Sequence, residues 1–231
     1  MRALRIFLIV VVILGGLFVI ADRVAVHFAE GEAADKLKAT ESLAVTPDVS
    51  IKGFPFLTQV AGGSLDDVEV GIKDYEAATG NGAEKIRIDD LKAHMKGVDF
   101  SGDYSSATAA DASGTATIAY DQLLSAVKND PVDLPLGATG KVTSLSYGGN
   151  GKVRATVVVA GVPLPVLGSV TAQGDTVKVH ADGLPKFGNQ ALDVSEVKID
   201  QLPGGIKLDK VRAAKDGVEI TVKGSNVKLA G

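Results

Sequence analysis

The sequence predicts an α+β protein: an N-terminal apolar helix, then an antiparallel β-domain carrying one or two short helices. Three observations carry that expectation. Residues 6–21 are an uncharged apolar run behind Arg2 and Arg5. Beyond Pro47, several segments alternate apolar and polar residues with a period of two. Glycine-rich turns join those segments directly, which suits an antiparallel meander rather than alternating βαβ units.

The apolar run, IFLIVVVILGGLFVIA, ends at Asp22. A basic start followed by such a run reads as a transmembrane anchor or a signal peptide, and Val19-Ile20-Ala21 offers a weak cleavage exit. Positive charge before the run and Glu30, Glu32 and Asp35 after it keep the N-terminus in the cytoplasm and the rest of the chain outside. The expected division is therefore 1–28, a cytoplasmic start with anchor or signal peptide, and 29–231, a single extracytoplasmic domain. The location is the plasma membrane as a single-pass protein, or the envelope if residues 1 to about 21 are cleaved.

Residues 29–43 are rich in Ala, Glu, Lys and Leu, and continue the helix until Thr46-Pro47 stops it. Strands follow where Val68, Val70 and Ile72, then Val153 to Val159, then Val177 to Ala181, then Val218 to Val222 take alternate positions. Reversals fall at Gly148-Gly149-Asn150-Gly151, Gln173-Gly174-Asp175 and Asp216-Gly217. Tyr120, Leu123, Leu124 and Val127 fall at i, i+3, i+4 and i+7, an apolar stripe that predicts a short helix ending before Asn129-Asp130-Pro131. Ile88, Leu91 and Met95 repeat that spacing less completely and predict a second helix, with Ile88–Lys96 and Tyr120–Lys128 as a weak internal repeat.

Composition excludes several functions. With 24 Lys and Arg against 28 Asp and Glu, the chain is mildly acidic, which argues against a nucleic-acid partner. It has no Cys, so thiolate metal sites, disulfides, cysteine nucleophiles and a lipidated cysteine are all excluded. The three His, at 27, 94 and 180, are far apart and read as solvated side chains, so no metal or other cofactor is expected. Ser-x-x-Lys occurs three times without its companion motifs, and neither Gly-x-Ser-x-Gly nor a phosphate-binding loop is present. No enzyme is expected.

Two apolar segments broken by proline stand apart. Residues 51–60 concentrate Phe54, Phe56, Leu57 and Val60 around Pro55, and read as a strand that kinks or ends at an edge. Residues 161–167 place Val162, Leu164 and Val166 between prolines. The first is either an aromatic plug closing one end of the core or the lip of a site for a greasy ligand, and the two together suit a ligand mouth or a membrane-contacting loop. The strand faces are mostly Val, Ala and Ile, short side chains that fill a concave interior poorly. Such a sheet must close on a helix, collapse flat or leave a cavity that something else fills.

The run Val49-Ser-Ile-Lys-Gly-Phe-Pro-Phe-Leu-Thr-Gln-Val60, with Gly62-Gly63-Ser-Leu-Asp-Asp-Val68 after it, resembles the opening of the LmeA-like family of actinobacterial envelope proteins. Leu202-Pro-Gly-Gly-Ile-Lys-Leu208, Asp216-Gly217-Val218 and Gly224–Leu229 are similar to its close. The resemblance implies a phospholipid-binding protein of the cell envelope, acting in lipoglycan or envelope-lipid maintenance. It implies a tubular lipid-binding architecture, in which a curved antiparallel sheet wraps a long helix around an apolar tunnel. The partners implied are a phospholipid or other acyl lipid, and the plasma membrane through the N-terminal segment.

Under that resemblance, the lipid-binding candidates are Phe54, Phe56, Leu57 and Val60 of the Phe-Pro-Phe element, with Leu91 and Met95 of the second helix. Tyr120, Leu123, Leu124 and Val127 supply the apolar stripe. Val157, Val159, Val162, Leu164 and Val166 line the strands. The competing expectation is an anchored scaffold with a dry core and no ligand.

Overall fold

The computed structural model of the chain describes residues 2–78, 85–103, 105–128, 131–133, 139–174, 176–182, 193–198 and 205–230. The apolar run and the Ala/Glu-rich segment form one unbroken helix, α1 (Arg2–Thr40), long and apolar enough to cross a membrane. Its apolar run is exposed, whereas Asp22, Val26 and Ala34 are buried against the rest of the chain. No helix-breaking residue separates the two parts, so the helix that would leave a membrane is the same helix that docks on the domain.

Strands and short helices follow as β1 (Asp48–Lys52), α2 (Phe56–Ala61), β2 (Ser64–Ala78), β3 (Lys85–Phe100), β4 (Ala107–Ile118) and α3 (Tyr120–Val127). Then come β5 (Pro131–Asp133), β6 (Thr139–Gly149), β7 (Lys152–Val159), β8 (Val162–Gln173), β9 (Thr176–Asp182), β10 (Asp193–Lys198), β11 (Ile206–Ala213) and β12 (Val218–Ala230). They form two six-stranded antiparallel sheets. Sheet A runs β1-β2-β3-β4-β12-β11 and sheet B runs β10-β9-β8-β7-β6-β5. The chain leaves sheet A through α3, traverses sheet B as a meander, and returns as β11 and β12, with β12 pairing beside β4. The α+β class, with an N-terminal apolar helix, antiparallel strands and few helices, is thus as the sequence predicts, although of the short helices only α3 stands where one was expected.

Alternation places one apolar face on each sheet. Ile51, Val68, Met95, Ala112, Gly224 and Ile206 form a single cross-strand row through all six strands of sheet A. The next row is Val49, Val70, Ala93, Gly114, Val222 and Leu208. In both rows the β4 position is Ala or Gly (Ala112 and Gly114), so the apolar face is shallowest along β4. At Gly224 any side chain would overlap the Gly205 carbonyl oxygen, so only glycine fits there.

Two packed clusters result. One joins Val26 of α1 and Phe56 of α2 to Leu65, Val98, Ala109, Ala112 and Val227 of sheet A. In the other, Leu208, Val211, Ala213 and Val218 of sheet A meet Val153 of sheet B, with Tyr147, Val170, Ala172 and Val177 packed around them. The two sheets therefore bring their apolar faces together at β11, β12, β7 and β8.

Two expected elements differ. Residues 88–95 belong to strand β3, where Leu91, Ala93 and Met95 alternate with Lys92, His94 and Lys96. Leu91 and Met95 are four apart, a spacing that shares a face in a helix and in a strand alike, so it did not discriminate. The repeat with Tyr120–Lys128 accordingly joins a strand to a helix and is not a structural repeat. The segment 51–60, expected as a strand that kinks or ends at an edge, does end there: β1 stops at Lys52 on the edge of sheet A. Residues 56–61 form helix α2 instead, with Pro55 at its N-cap in an extended conformation, ψ 137°. The turn of Gly149, Asn150 and Gly151 matches expectation, all three with positive φ. Asp175, Asn129-Asp130 and Leu202-Pro203-Gly204 lie outside the described residues.

Candidate functional site

The junction of α1 with the domain is built from carboxylates and backbone amides. Asp22 is inaccessible to solvent, accepts a hydrogen bond of 2.8 Å from the Leu57 amide N–H, and pairs with Arg23 at 2.5 Å. Two turns further along the helix, Glu30 accepts from the Ile51 amide N–H at 2.8 Å. A buried carboxylate costs several kcal/mol unless it is paired and hydrogen-bonded. Asp22 has both kinds of partner. The Arg23 guanidinium also lies 5.3 Å from the centre of the Phe54 ring, a cation–π distance. Sequence reasoning took Asp22 only as the end of the apolar run, since its partner is a main-chain group 35 residues away.

The fifteen candidate residues divide by environment. Phe56 is buried in the cluster beneath α1, with Val60 and Met95 packed on it. Tyr120 and Leu123 pack on the cluster between the sheets. Val157 is buried on sheet B. Leu91, Leu124, Val127, Val159 and Val166 are half-buried and belong to neither cluster. Val162 and Leu164 are exposed, although they pair with Val159 and Val157 on the same apolar face. Phe54 and Leu57 are exposed beside the α1 junction, 56% and 37% accessible, while Phe56 between them points inward.

Helix α3 lays part of its apolar stripe on the cluster between the sheets. It packs on β6 and β3, and no residue of its apolar stripe is fully buried. The Tyr120 hydroxyl donates to the Ala214 carbonyl at 2.7 Å, tying the helix to the β11–β12 turn. Burial raises the pKa of that phenol, so it stays a neutral donor.

A separate groove of ≈ 910 Å³ opens on the polar face of sheet A, lined by His94, Lys96, Asp111, Ser113, Lys207 and Lys223 among others. None of the fifteen candidates lines it. At its edge His94 Nε2 lies 2.7 Å from Asp67 Oδ1 and 4.0 Å from Glu69 Oε1. These three residues offer ligand atoms within 4.8 Å of one another, the spacing of a metal-binding group. Each is already engaged, however: Glu69 pairs with Lys52 at 3.4 Å, and the His94–Asp67 contact is a hydrogen bond. His94 is thus a partnered strand residue rather than the solvated helix residue expected. Signals for the groove are absent from the sequence because its lining comes from four strands that meet only in the folded sheet.

Fold and site together define a class: an α+β protein with an N-terminal apolar helix and two antiparallel sheets whose apolar faces meet under a half-buried helix. The chain belongs to the LmeA-like phospholipid-binding family, whose sequence model matches residues 20–223. That membership points to lipid binding as the general function. No curated protein and no solved structure matches the chain.

Proposed function

We propose that this protein holds or shuttles single phospholipids at the outer face of the plasma membrane, for envelope or lipoglycan maintenance. On this reading α1 is an uncleaved single-pass anchor and residues 29–231 are one extracytoplasmic lipid-binding domain. The observation that carries it is a set of half-buried apolar residues on α3, β3 and the β7–β8 hairpin. Leu91, Leu124, Val127, Val159 and Val166 lie there outside both packed clusters. Acyl chains laid against such side chains gain about 0.8 kcal/mol for each methylene buried. Family membership and the small side chains along β4 support the same reading. It needs no catalytic step, because the lipid is held by burial alone.

The test is native mass spectrometry of the full chain purified from membranes, with organic extraction of what accompanies it. A mass that includes residues 1–21 and about one phospholipid per chain is the expected result. Leu124→Asp and Val159→Asp, both at half-buried positions, should each lower the lipid content while circular dichroism stays unchanged. Phe56 is unsuitable for this purpose, since it is buried in the α1 cluster and an aspartate there would disrupt folding. A lipid-free mass that persists after incubation with total envelope lipids would overturn the reading in favour of a scaffold with a dry core.

A further inference from the structure

We infer that the segment Phe54–Leu57, the loop leading into the first turn of α2, is a bilayer-contact surface, seated in the outer leaflet of phospholipid beside α1. The inference rests on the proposed reading of α1 as an uncleaved anchor.

Height is the first argument. The Leu57 amide donates to Asp22, the first residue after the apolar run, so the loop backbone is held level with the end of that run. No linker intervenes, because α1 continues through this point without a break. Phe18, four residues before Asp22, lies on the same face of the helix, so the loop overhangs apolar helix surface.

Chemistry is the second argument. Residues 53–57 carry no charge, and the loop turns Phe56 into the core while leaving Phe54 and Leu57 accessible. Against Phe54 stands Arg23, which reaches Asp22, the Phe54 ring and, at 3.5 Å, the Gly53 carbonyl. An aromatic ring and a cation at the end of an apolar run are the side chains that sit well among lipid headgroups. The sheet register is the third argument. Strand β1 runs back along α1 towards this loop, and β11 and β12 turn at residues 214–217, at the opposite end of sheet A. The loop therefore lies, with the β3–β4 turn, at the end of sheet A nearest the apolar run.

The chain has no Trp, so Phe54→Trp introduces a single reporter. The full-length variant would be reconstituted in vesicles of phosphatidylcholine and phosphatidylglycerol containing lipids brominated near the headgroup end of the acyl chain. Lys215→Trp, exposed at the far turn, is the control, and Leu57→Trp is a second loop position should the first variant fold poorly. Emission from the loop positions should be blue-shifted and quenched several-fold more than from position 215. Equal, weak quenching at all three positions would overturn the inference. If that happens while native mass spectrometry still finds one lipid per chain, the contact surface falls and lipid holding stands. Strong loop quenching in a chain that carries no lipid upholds the contact surface and removes lipid holding.

Discussion

Tyr120 shows how much a single group decides at the residue scale. Its hydroxyl is the hydrogen-bond link from α3 to the β11–β12 turn, so Tyr120→Phe should cost about 1 kcal/mol in urea unfolding and leave the fold intact. Two carboxylates give the chain a pH dependence. Hydrogen bonds from Ser101 and Ser105 hold the Asp103 carboxyl well below its ordinary value of 3.8, at about 2. The Lys152 ammonium, helped by Ser169, lowers that of Asp182. Both pKa values are lower in the folded state, so their stabilisation is complete above the ordinary carboxylate range and is lost as pH falls through the folded values. Protection of the amides around 101–106, measured against the intrinsic exchange rate at each pH, should therefore fall as pH drops from 3.8 towards about 2, and Asp103→Asn should remove that dependence. Legibility at this scale followed chemistry. Phe54, Phe56, Leu57 and Val60 stood out in the sequence because they gather most of the aromatic character of the early domain. Asp22 did not, because a buried acid and a terminating acid look the same until the amide that binds it is in place.

Elements were legible wherever the period was unambiguous. The alternations at 68–72, 153–159, 177–181 and 218–222 all lie in strands, and the stripe from Tyr120 to Val127 is helix α3. Leu91 and Met95 misled because a separation of four satisfies both periods, and the small Ala93 between them hid the alternation. Helix α2 was missed because a six-residue helix has too few turns to display a period. How strands divide between two sheets is a matter of long-range pairing, and the return of β12 to β4 has no local signature. The pairing makes its own prediction at Gly224. A methyl group there would clash with the Gly205 backbone, which cannot swing aside, and with the buried Val227 side chain. Gly224→Ala should therefore cost about 1–3 kcal/mol, read as a lowered thermal midpoint.

For the whole molecule, the decisive relation is between α1 and the domain it carries. Phe56 and Val26 share one buried cluster, so the same packing that completes sheet A also fixes the helix against it. Phe56→Ala should cost about 3–5 kcal/mol by emptying that cluster, measured by chemical denaturation. It should also loosen α1 from the sheet, which protease sensitivity near residue 40 would report. From Asp22 to Thr40 the helix climbs roughly 28 Å at about 1.5 Å per residue, without a hinge along its length. On the proposed reading of α1 as an anchor, the domain is therefore held at one elevation rather than swinging as it would on a flexible stalk. Its elevation is counted in residues. Each alanine added between Ile20 and Ala21 would raise the whole domain by about 1.5 Å while leaving the Asp22 latch and both cores untouched. A short ladder of such insertions would turn distance from the leaflet into an adjustable variable, with folding held constant on every rung.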